Sequence, residues 1–320
     1  MTLRNKRVFL SGGAGFIGTK LVQRLVDYNE VIVFDTFQRN SLKDTGIIGH
    51  PNLTLIKGNV LNKEQVISAV EGADVILHLA AIAGISTVIK SPTNTMMVNF
   101  IGTGNVLEAA KGLESLERFV DFSTSEVYGS YAYKIGEGSC TTTGAVGAAR
   151  WTYAISKLAA EHLAHGYHEE FGIPVVSVRP FNVYGPGQVG EGAVHSFIVN
   201  SLAGEDLVIQ GDGDQVRSWC YIDDMVDGIL LCLTNDRAVG HVFNIGNPRG
   251  TITVLSLAEK IVRISNSQSK ITFVPKSYVD VELRIPDIEK SKEILGFKPR
   301  INLDTGIRRT LEWYAVKSKE

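Results

Sequence analysis

The chain predicts an α/β fold, a doubly wound parallel sheet with a smaller, interleaved C-terminal α/β part. Three observations carry that expectation. Short β-branched runs alternate with amphipathic stretches through the first 180 residues, the pattern of βαβ crossovers whose helices cover both faces of a parallel sheet. Runs such as VIVF at 31–34 are apolar at every position, as suits a strand buried on both sides. Beyond residue 179 the texture changes to Pro180, Pro186 and glycines at 185, 187, 190 and 192. Loops of that kind, past the carboxyl ends of parallel strands, are where ligands are usually held.

Strands are expected, in order, at 8–10, 31–34, 53–57, 75–79, 119–123 and 175–179, and helices at 16–27, 63–70, 93–111 and 150–171. A length of 320 residues, 44% of them apolar, suits one large domain or a large domain with a small partner. Lys and Arg total 32 against 34 Asp and Glu, with no block of like charge, so neither nucleic acid nor a membrane surface is expected as a partner. The three cysteines, Cys140, Cys220 and Cys232, lack metal-ligand or redox spacing. No metal is therefore expected, and the thiols read as the reduced ones of a cytoplasmic protein. The start, 1–6, is polar and basic and runs straight into the first strand, so no secretory leader is expected. The apolar stretch 75–85 holds His78 and Gly84 and is too short to span a bilayer.

The first turn reads SGGAGFIG at 11–18, after a strand and before a helix, with Gly12, Gly15 and Gly18 evenly spaced. In a dinucleotide-binding turn one glycine makes the bend, one lets backbone approach a pyrophosphate, and one permits close helix–strand packing. The phosphates then lie over the positive end of the following helix. An ordinary tight turn needs less, but an acid, Asp35, closes the second strand at the interval such a fingerprint requires. Its carboxylate accepts ribose hydroxyls and repels a 2′-phosphate, which favours NAD, although Arg39 lies close by.

Tyr153 and Lys157 stand four apart in a stretch expected to be helical, so both side chains share one face. An ammonium beside a phenol, helped by a positive nicotinamide ring, is expected to lower the phenol's pKa and make it a base. Such a pair alone is usually a solvated helix face. Beside a dinucleotide turn it points to proton abstraction from a hydroxyl while hydride leaves the same carbon.

The sequence resembles the NAD-dependent epimerase/dehydratase family of extended short-chain dehydrogenases over nearly its whole length. The matching strings include HLAA (78–81), GTGNVLEAA (102–110), FSTSEVYG (122–129), YAISK (153–157), RPFNVYGPG (179–187), GDGDQVRSWCYIDD (211–224) and FNIGN (243–247). Asn59 stands where that family usually has an acid near the adenine, and Ser11 replaces a more usual threonine. The resemblance implies a Rossmann-type NAD-binding domain over 1–179. It assigns 180–320 mainly to a nucleotide-sugar domain, with parts near 216–245 returning to the first. It implies that Gly12, Gly15, Phe16, Ile17, Asp35, Asn59, Val60, Leu79, Ala80, Ala81, Asn99 and Ser123 line the dinucleotide, with Tyr153 and Lys157 at its reactive end. Thr124 would bond the sugar's 4-hydroxyl, Tyr153 would be the base, and Lys157 its electrostatic partner. Asn182, Arg217 and Arg284 would hold the diphosphate or sugar end, and an apolar turn at Ala193 and Val194 would border the nucleobase. By the same analogy the helices at 93–111 and 150–171 pair subunits in a homodimer.

Members of this family oxidise the sugar at C4 and then diverge. Ser125 and Glu126 follow Thr124. A 4,6-dehydratase places Asp before that Glu, and a simple 4-epimerase usually needs no carboxylate there. The set Thr124, Ser125, Glu126, Tyr153, Lys157 and Arg284 is similar to that of UDP-glucuronate decarboxylases, as are ARWTYAISK (149–157) and DVELRIPDI (280–288). Decarboxylation of a UDP-hexuronate is therefore favoured, with Arg284 or Ser125 orienting the carboxylate. The alternatives are a UDP-sugar 4-epimerase, a nucleotide-hexose 4,6-dehydratase and a non-catalytic NAD-binding regulator.

Overall fold

The computed structural model describes residues 3–276, 278 and 280–317. Its main sheet has seven parallel strands in the order Val242–Ile245, Val175–Pro180, Arg118–Phe122, Val75–His78, Arg7–Ser11, Glu30–Asp35 and Leu53–Lys57. Leu10 pairs with Val33 on one side and with Leu77 on the other. The connection order reverses on either side of Arg7–Ser11, and that reversal opens a crevice beyond the carboxyl ends of the strands.

Successive residues of each central strand join opposite cores, as the period of two requires. Leu10, Val33, Leu77 and Val120 face one apolar cluster, shared with Met225, Val226 and Ile229 of the helix Ile222–Thr234. Phe9, Ile32, Ile76 and Phe119 face the other, completed by Val66, Val106, Leu107 and Ala164. Helices Phe16–Leu25 and Ile222–Thr234 pack on each other, as do Lys63–Val70, Gly102–Ala110 and Thr152–Phe171. The sheet is thus covered on both faces.

A second sheet sits over the carboxyl ends, in the order Thr251–Thr253, Val216–Ser218, Leu283–Pro286 and Tyr131–Ile135. Its register sets Arg217 directly beside Arg284, and Arg284 beside Ala132. Two arginines far apart in the chain become neighbours this way.

The six expected strands appear within two residues of their expected ends. The helix expected at 93–111 is instead Pro92–Met96, a wider π turn at Met97–Ile101, and Gly102–Ala110. The π turn carries Asn99, whose amide grips the backbone of Ile82 through both its oxygen (2.7 Å) and its nitrogen (3.1 Å). A single-turn π bulge of this kind is characteristic of functional sites. Ala193 and Val194, expected in a turn, open the helix Ala193–Ala203. Among the described residues no helix is long and apolar enough to cross a membrane.

Candidate active site

The glycines of the first turn divide their work as the local geometry dictates. Gly12 has φ +73°, and a Cβ there would lie 2.6 Å from the Ala80 amide nitrogen. A Cβ on Gly18 would lie 2.7 Å from the Gly12 carbonyl oxygen and the Gly13 Cα. Both glycines are demanded by the protein's own backbone. Gly18→Ala is accordingly expected to cost about 1–3 kcal/mol, read as a lower midpoint in thermal or urea unfolding. Gly15 differs, because a Cβ there would meet only the Gly12 oxygen, at 3.3 Å, and the residue lines a cavity. The helix Phe16–Leu25 starts at Gly15 with no side-chain cap and no acid in its first turn. Its positive end is therefore directed at whatever anion the cavity receives.

Two adjoining cavities, of about 470 and 450 Å³, share Gly12, Gly15, Phe16, Leu79 and Ala81 as lining. Asp35, Asn59, Val60 and Ala80 line the outer one. Asp35 accepts from the amides of Ala14 (3.0 Å) and Phe37 (2.8 Å). A carboxylate has about four acceptor sites, so the turn is capped with acceptor capacity left over. Burial pushes its pKa up, against those backbone bonds. Arg39 binds the Ala83 carbonyl (3.2 Å) and the Thr87 hydroxyl (3.1 Å).

Ile17, Ser123, Thr124, Ser125, Glu126, Tyr153, Lys157, Asn182, Ala193, Val194 and Arg284 line the inner cavity. Asn99 and Arg217 line neither. Asn99 is fully buried and acts through the loop it grips, also donating to the Ser156 hydroxyl at 3.0 Å. Thr124 caps the turn Ser125–Tyr128, its hydroxyl accepting from the Glu126 amide (3.2 Å).

Tyr153 and Lys157 stand on successive turns of Thr152–Phe171. The protein's own groups do not lower the Tyr153 phenol, and the expected lowering also drew on the charge of a nicotinamide ring. Burial, reinforced by the charge of Glu126, pushes the phenol up to about 12, while a hydrogen bond with Thr124 and the charges of Arg284 and Arg150 oppose the rise. Lys157 is 1% exposed, and its Nζ has no hydrogen-bond partner among the described residues. Burial pulls its pKa down, while Asp121 and Glu161 push it up. Asp121 lies behind it and is itself pushed up to about 6 by burial. His78, between Ser11 Oγ (2.6 Å) and Thr103 Oγ1 (2.9 Å), is held near 3 by burial and by the Lys157 charge. It is a neutral brace between strand and helix.

At the far end of the inner cavity lies a charge cluster that the sequence reading reached only in part. Glu126 is bound end-on by Arg150, with Nη1 on Oε2 and Nη2 on Oε1 at 3.1 Å. Arg284 adds one contact at 3.4 Å. Burial alone would push Glu126 up, but the two guanidinium groups outweigh it and hold it below the usual carboxylate range. Asp280 then pairs with Lys276 (3.1 Å), Arg217 (3.4 Å) and Arg150 (3.6 Å). Four cations thus share two carboxylates, leaving a net positive end suited to an anionic ligand. Arg284 is 3% exposed, and its Nε and Nη2 have no hydrogen-bond partner among the described residues. Those two atoms form one edge of the guanidinium fork. Such an edge matches two oxygens of a carboxylate or phosphate.

Glu191 lines the inner cavity. Its carboxylate accepts from the amides of Ser86 (2.8 Å) and Thr87 (3.1 Å) and from the Thr87 hydroxyl (3.0 Å). This ties the stretch before Ala193–Ala203 to the first turn of the short helix Ile85–Lys90. Burial pushes Glu191 up, but these bonds outweigh it and hold its pKa below the ordinary value. The tie is therefore complete above the usual carboxylate range and lost as pH falls below it. Glu191→Ala is expected to speed cofactor release roughly tenfold, equivalent to about 1.4 kcal/mol, seen by stopped-flow fluorescence of bound reduced cofactor.

Arg150, Glu191, Lys276 and Asp280 were not singled out from sequence. Arg150 lies three residues before Tyr153, and a helical spacing test carried one turn further back finds it. The others reach the site only through long-range packing.

The cavity geometry fits an NAD molecule: a glycine with room for a pyrophosphate, an uncapped helix start, Asp35 at a ribose edge and the unpartnered Lys157 ammonium. The model of the NAD dependent epimerase/dehydratase family matches residues 8–246. A UDP-N-acetyl-alpha-D-glucosaminuronate decarboxylase of Bacillus cytotoxicus is 34% identical over 320 residues, covering 97% of this chain and 98% of the relative. UDP-glucuronic acid decarboxylase 5 of Arabidopsis thaliana is 39% identical over 311 residues, 95% of this chain and 87% of the relative. The crystal structure of UDP-glucuronic acid 4-epimerase from Bacillus cereus, in complex with UDP-glucuronic acid and NAD, superposes with TM-score 0.88. That protein is 30% identical and the match covers 98% of this chain and all of that one. The doubly wound sheet, the glycine turn and the helical Tyr153–Lys157 pair thus have their explanation in descent: the chain is an NAD-using enzyme and belongs to the NAD dependent epimerase/dehydratase family.

Proposed function

We propose that the enzyme oxidises a UDP-hexuronate at C4 and removes its C6 carboxylate as carbon dioxide. The observation that carries this reading is Arg284, which lines the inner cavity next to Glu126 and keeps one buried guanidinium edge without a hydrogen-bond partner among the described residues. A neutral hydroxymethyl group would leave that fork unpaired at a cost of about 1–3 kcal/mol, whereas a carboxylate satisfies both donors. The named relatives that act on uronates support the same reading.

When bound, NAD+ supplies the acceptor for the hydride leaving C4. Tyr153 takes the proton of the 4-hydroxyl, with Thr124 bonding that oxygen and the Lys157 charge beside it. The ketone at C4 is β to the carboxylate. The C5–C6 bond therefore breaks with its electron pair passing to the ketone oxygen as an enolate, carbon dioxide leaves, and C5 takes a proton. Glu126 stands where that proton is handled. Asn182 serves the diphosphate, Ala193 and Val194 the base, while Arg217 acts from outside both cavities through its neighbours Arg284 and Asp280. In this reading residues 1–179 carry the cofactor, and the residues after 180 that stand outside the main sheet carry the sugar nucleotide. The setting is the cytoplasm.

A second reading is 4-epimerisation of the same UDP-hexuronate, since the Arg284 fork would hold a carboxylate equally well while the ketone turns. The structural neighbour that is a UDP-glucuronic acid 4-epimerase favours keeping it. Incubation with NAD and a panel of UDP-, dTDP- and GDP-sugars, followed by mass spectrometry, separates the outcomes. Loss of carbon dioxide from UDP-glucuronate is expected. Unchanged mass with altered NMR couplings would replace this reading by epimerisation, and loss of water by dehydration. Met97 and Ile101 are exposed on the π turn that packs against Thr152–Phe171, and we assign this face to a second copy of the chain. Light scattering is expected to give the mass of a dimer.

A further inference from the structure

We propose that Arg150 is a positioning residue that keeps Glu126 fixed at the reacting end of the sugar while Arg284 turns to the substrate. The inference rests on the reading that a sugar carboxylate enters the inner cavity.

The two arginines hold Glu126 unequally. Arg150 grips both carboxylate oxygens, and its Nη2 also faces Asp280 at 3.6 Å. It is 5% exposed, and its guanidinium lies 5.5 Å from the Trp151 ring centroid. Pinned between two carboxylates and a ring, it has little freedom to move. Its backbone belongs to the turn Ala149–Trp151, which runs directly into the helix bearing Tyr153. The base and the anchor of Glu126 are thus set by one rigid segment. Arg284 makes a single contact of 3.4 Å to Glu126, and the other edge of its fork has no partner among the described residues. Of the two, Arg284 loses less by turning to an arriving carboxylate.

That division has a consequence for proton handling. Glu126 is faced by Arg150 and Arg284, with Tyr153 and Arg217 further off and Asp280 across Arg150. While both arginines bind it, it is held ionised. Once Arg284 turns away, one of the two opposing cations is gone and its pKa rises toward the range where it can carry a proton. Arg150 then limits that rise and prevents the side chain from swinging off the sugar. Without Arg150 the carboxylate is neither placed nor kept charged.

The test uses the NAD-loaded enzyme with UDP-glucuronate, comparing Arg150→Met, Arg150→Lys and Arg284→Met. A displacement of about 1 Å at a reacting group costs on the order of 10²-fold in rate. Arg150→Met is therefore expected to lower kcat by roughly that factor, with KM little changed. The alkaline limb of its kcat–pH profile, where Glu126 loses the proton it carries, is expected to move to higher pH, and Arg150→Lys to recover part of both. Arg284→Met is expected to raise KM instead. A rise in KM for Arg150→Met with kcat kept would make Arg150 a substrate ligand and overturn the proposal. Unchanged kcat and pH profile would overturn it as well. If Arg150→Met does not fold, as judged by thermal melting, Arg150→Lys carries the same comparison. Should the wild type act only on another nucleotide sugar, the decarboxylase reading falls on that result alone. The Arg150 variants are then measured on that sugar, where the same split between kcat, KM and pH profile decides.

Discussion

Tyr153→Phe is expected to lower turnover roughly 10²–10⁴-fold while leaving cofactor binding and the melting temperature close to those of the wild type. The phenol ring fills a half-buried position at the start of Thr152–Phe171, and phenylalanine keeps that ring. Only the hydroxyl is lost. Its removal deletes the proton acceptor for the 4-hydroxyl, and Lys157, which the variant leaves in place, cannot substitute while it carries its own proton. The pH dependence gives a second reading of the same group. Without a bound cation the phenol stands at about 12, so base activity rises with pH through that range. A positively charged nicotinamide ring beside Lys157 favours the phenolate and moves the rise to lower pH. Titrating tyrosinate absorbance with and without the oxidised cofactor is expected to show this difference in wild type and its loss from the Tyr153→Phe spectrum. A variant that keeps wild-type turnover would remove Tyr153 from the chemistry.

Much of the frame was legible because its signals are local. The alternation of strand and helix through residue 180 is repeated in each βα unit, and Gly12, Asp35, Tyr153 and Lys157 each stand in a string whose geometry is set within a turn. The residues after 180 were harder. Strands such as Val216–Ser218 and Leu283–Pro286 are too short for alternation to register, and their meaning lies in pairing. Only the register of that small sheet puts Arg217 beside Arg284. Asp280 and Lys276 acquire a role from the charges they meet, which no spacing encodes. Asn99 shows a different limit: its string predicts proximity to the dinucleotide, and the π turn directs its amide to the backbone of Ile82 instead. Burial raises the phenol of Tyr153, an effect of long-range packing that the spacing to Lys157 does not carry.

Glu126→Gln separates what that carboxylate does for stability from what it does for chemistry. Removing one partner of a buried ion pair leaves an uncompensated charge and costs about 3–5 kcal/mol. Glu126 lies between Arg150 and Arg284, which are 5% and 3% exposed, so Glu126→Ala is expected to approach that cost. Glutamine keeps the volume and one acceptor oxygen, so its loss is expected to be smaller, with both differences read from denaturant unfolding near neutral pH. The sign with pH follows from the direction of the shift. Burial would raise Glu126, but Arg284 and Arg150 outweigh it and hold the group below its ordinary value. Its contribution is therefore full above the usual carboxylate range and is lost as pH falls through the lower, folded value. Wild type and Glu126→Gln are expected to converge in stability on acidification. Turnover behaves differently, because glutamine cannot carry the proton that C5 needs, and kcat is expected to fall roughly 10²–10⁴-fold at every pH. Oxidation at C4 uses Tyr153 and Lys157, so reduced cofactor is still expected to form in the variant after UDP-glucuronate is added. A variant with full kcat would reduce Glu126 to a counter-ion of the two arginines, and protonation of C5 would then have to come from solvent.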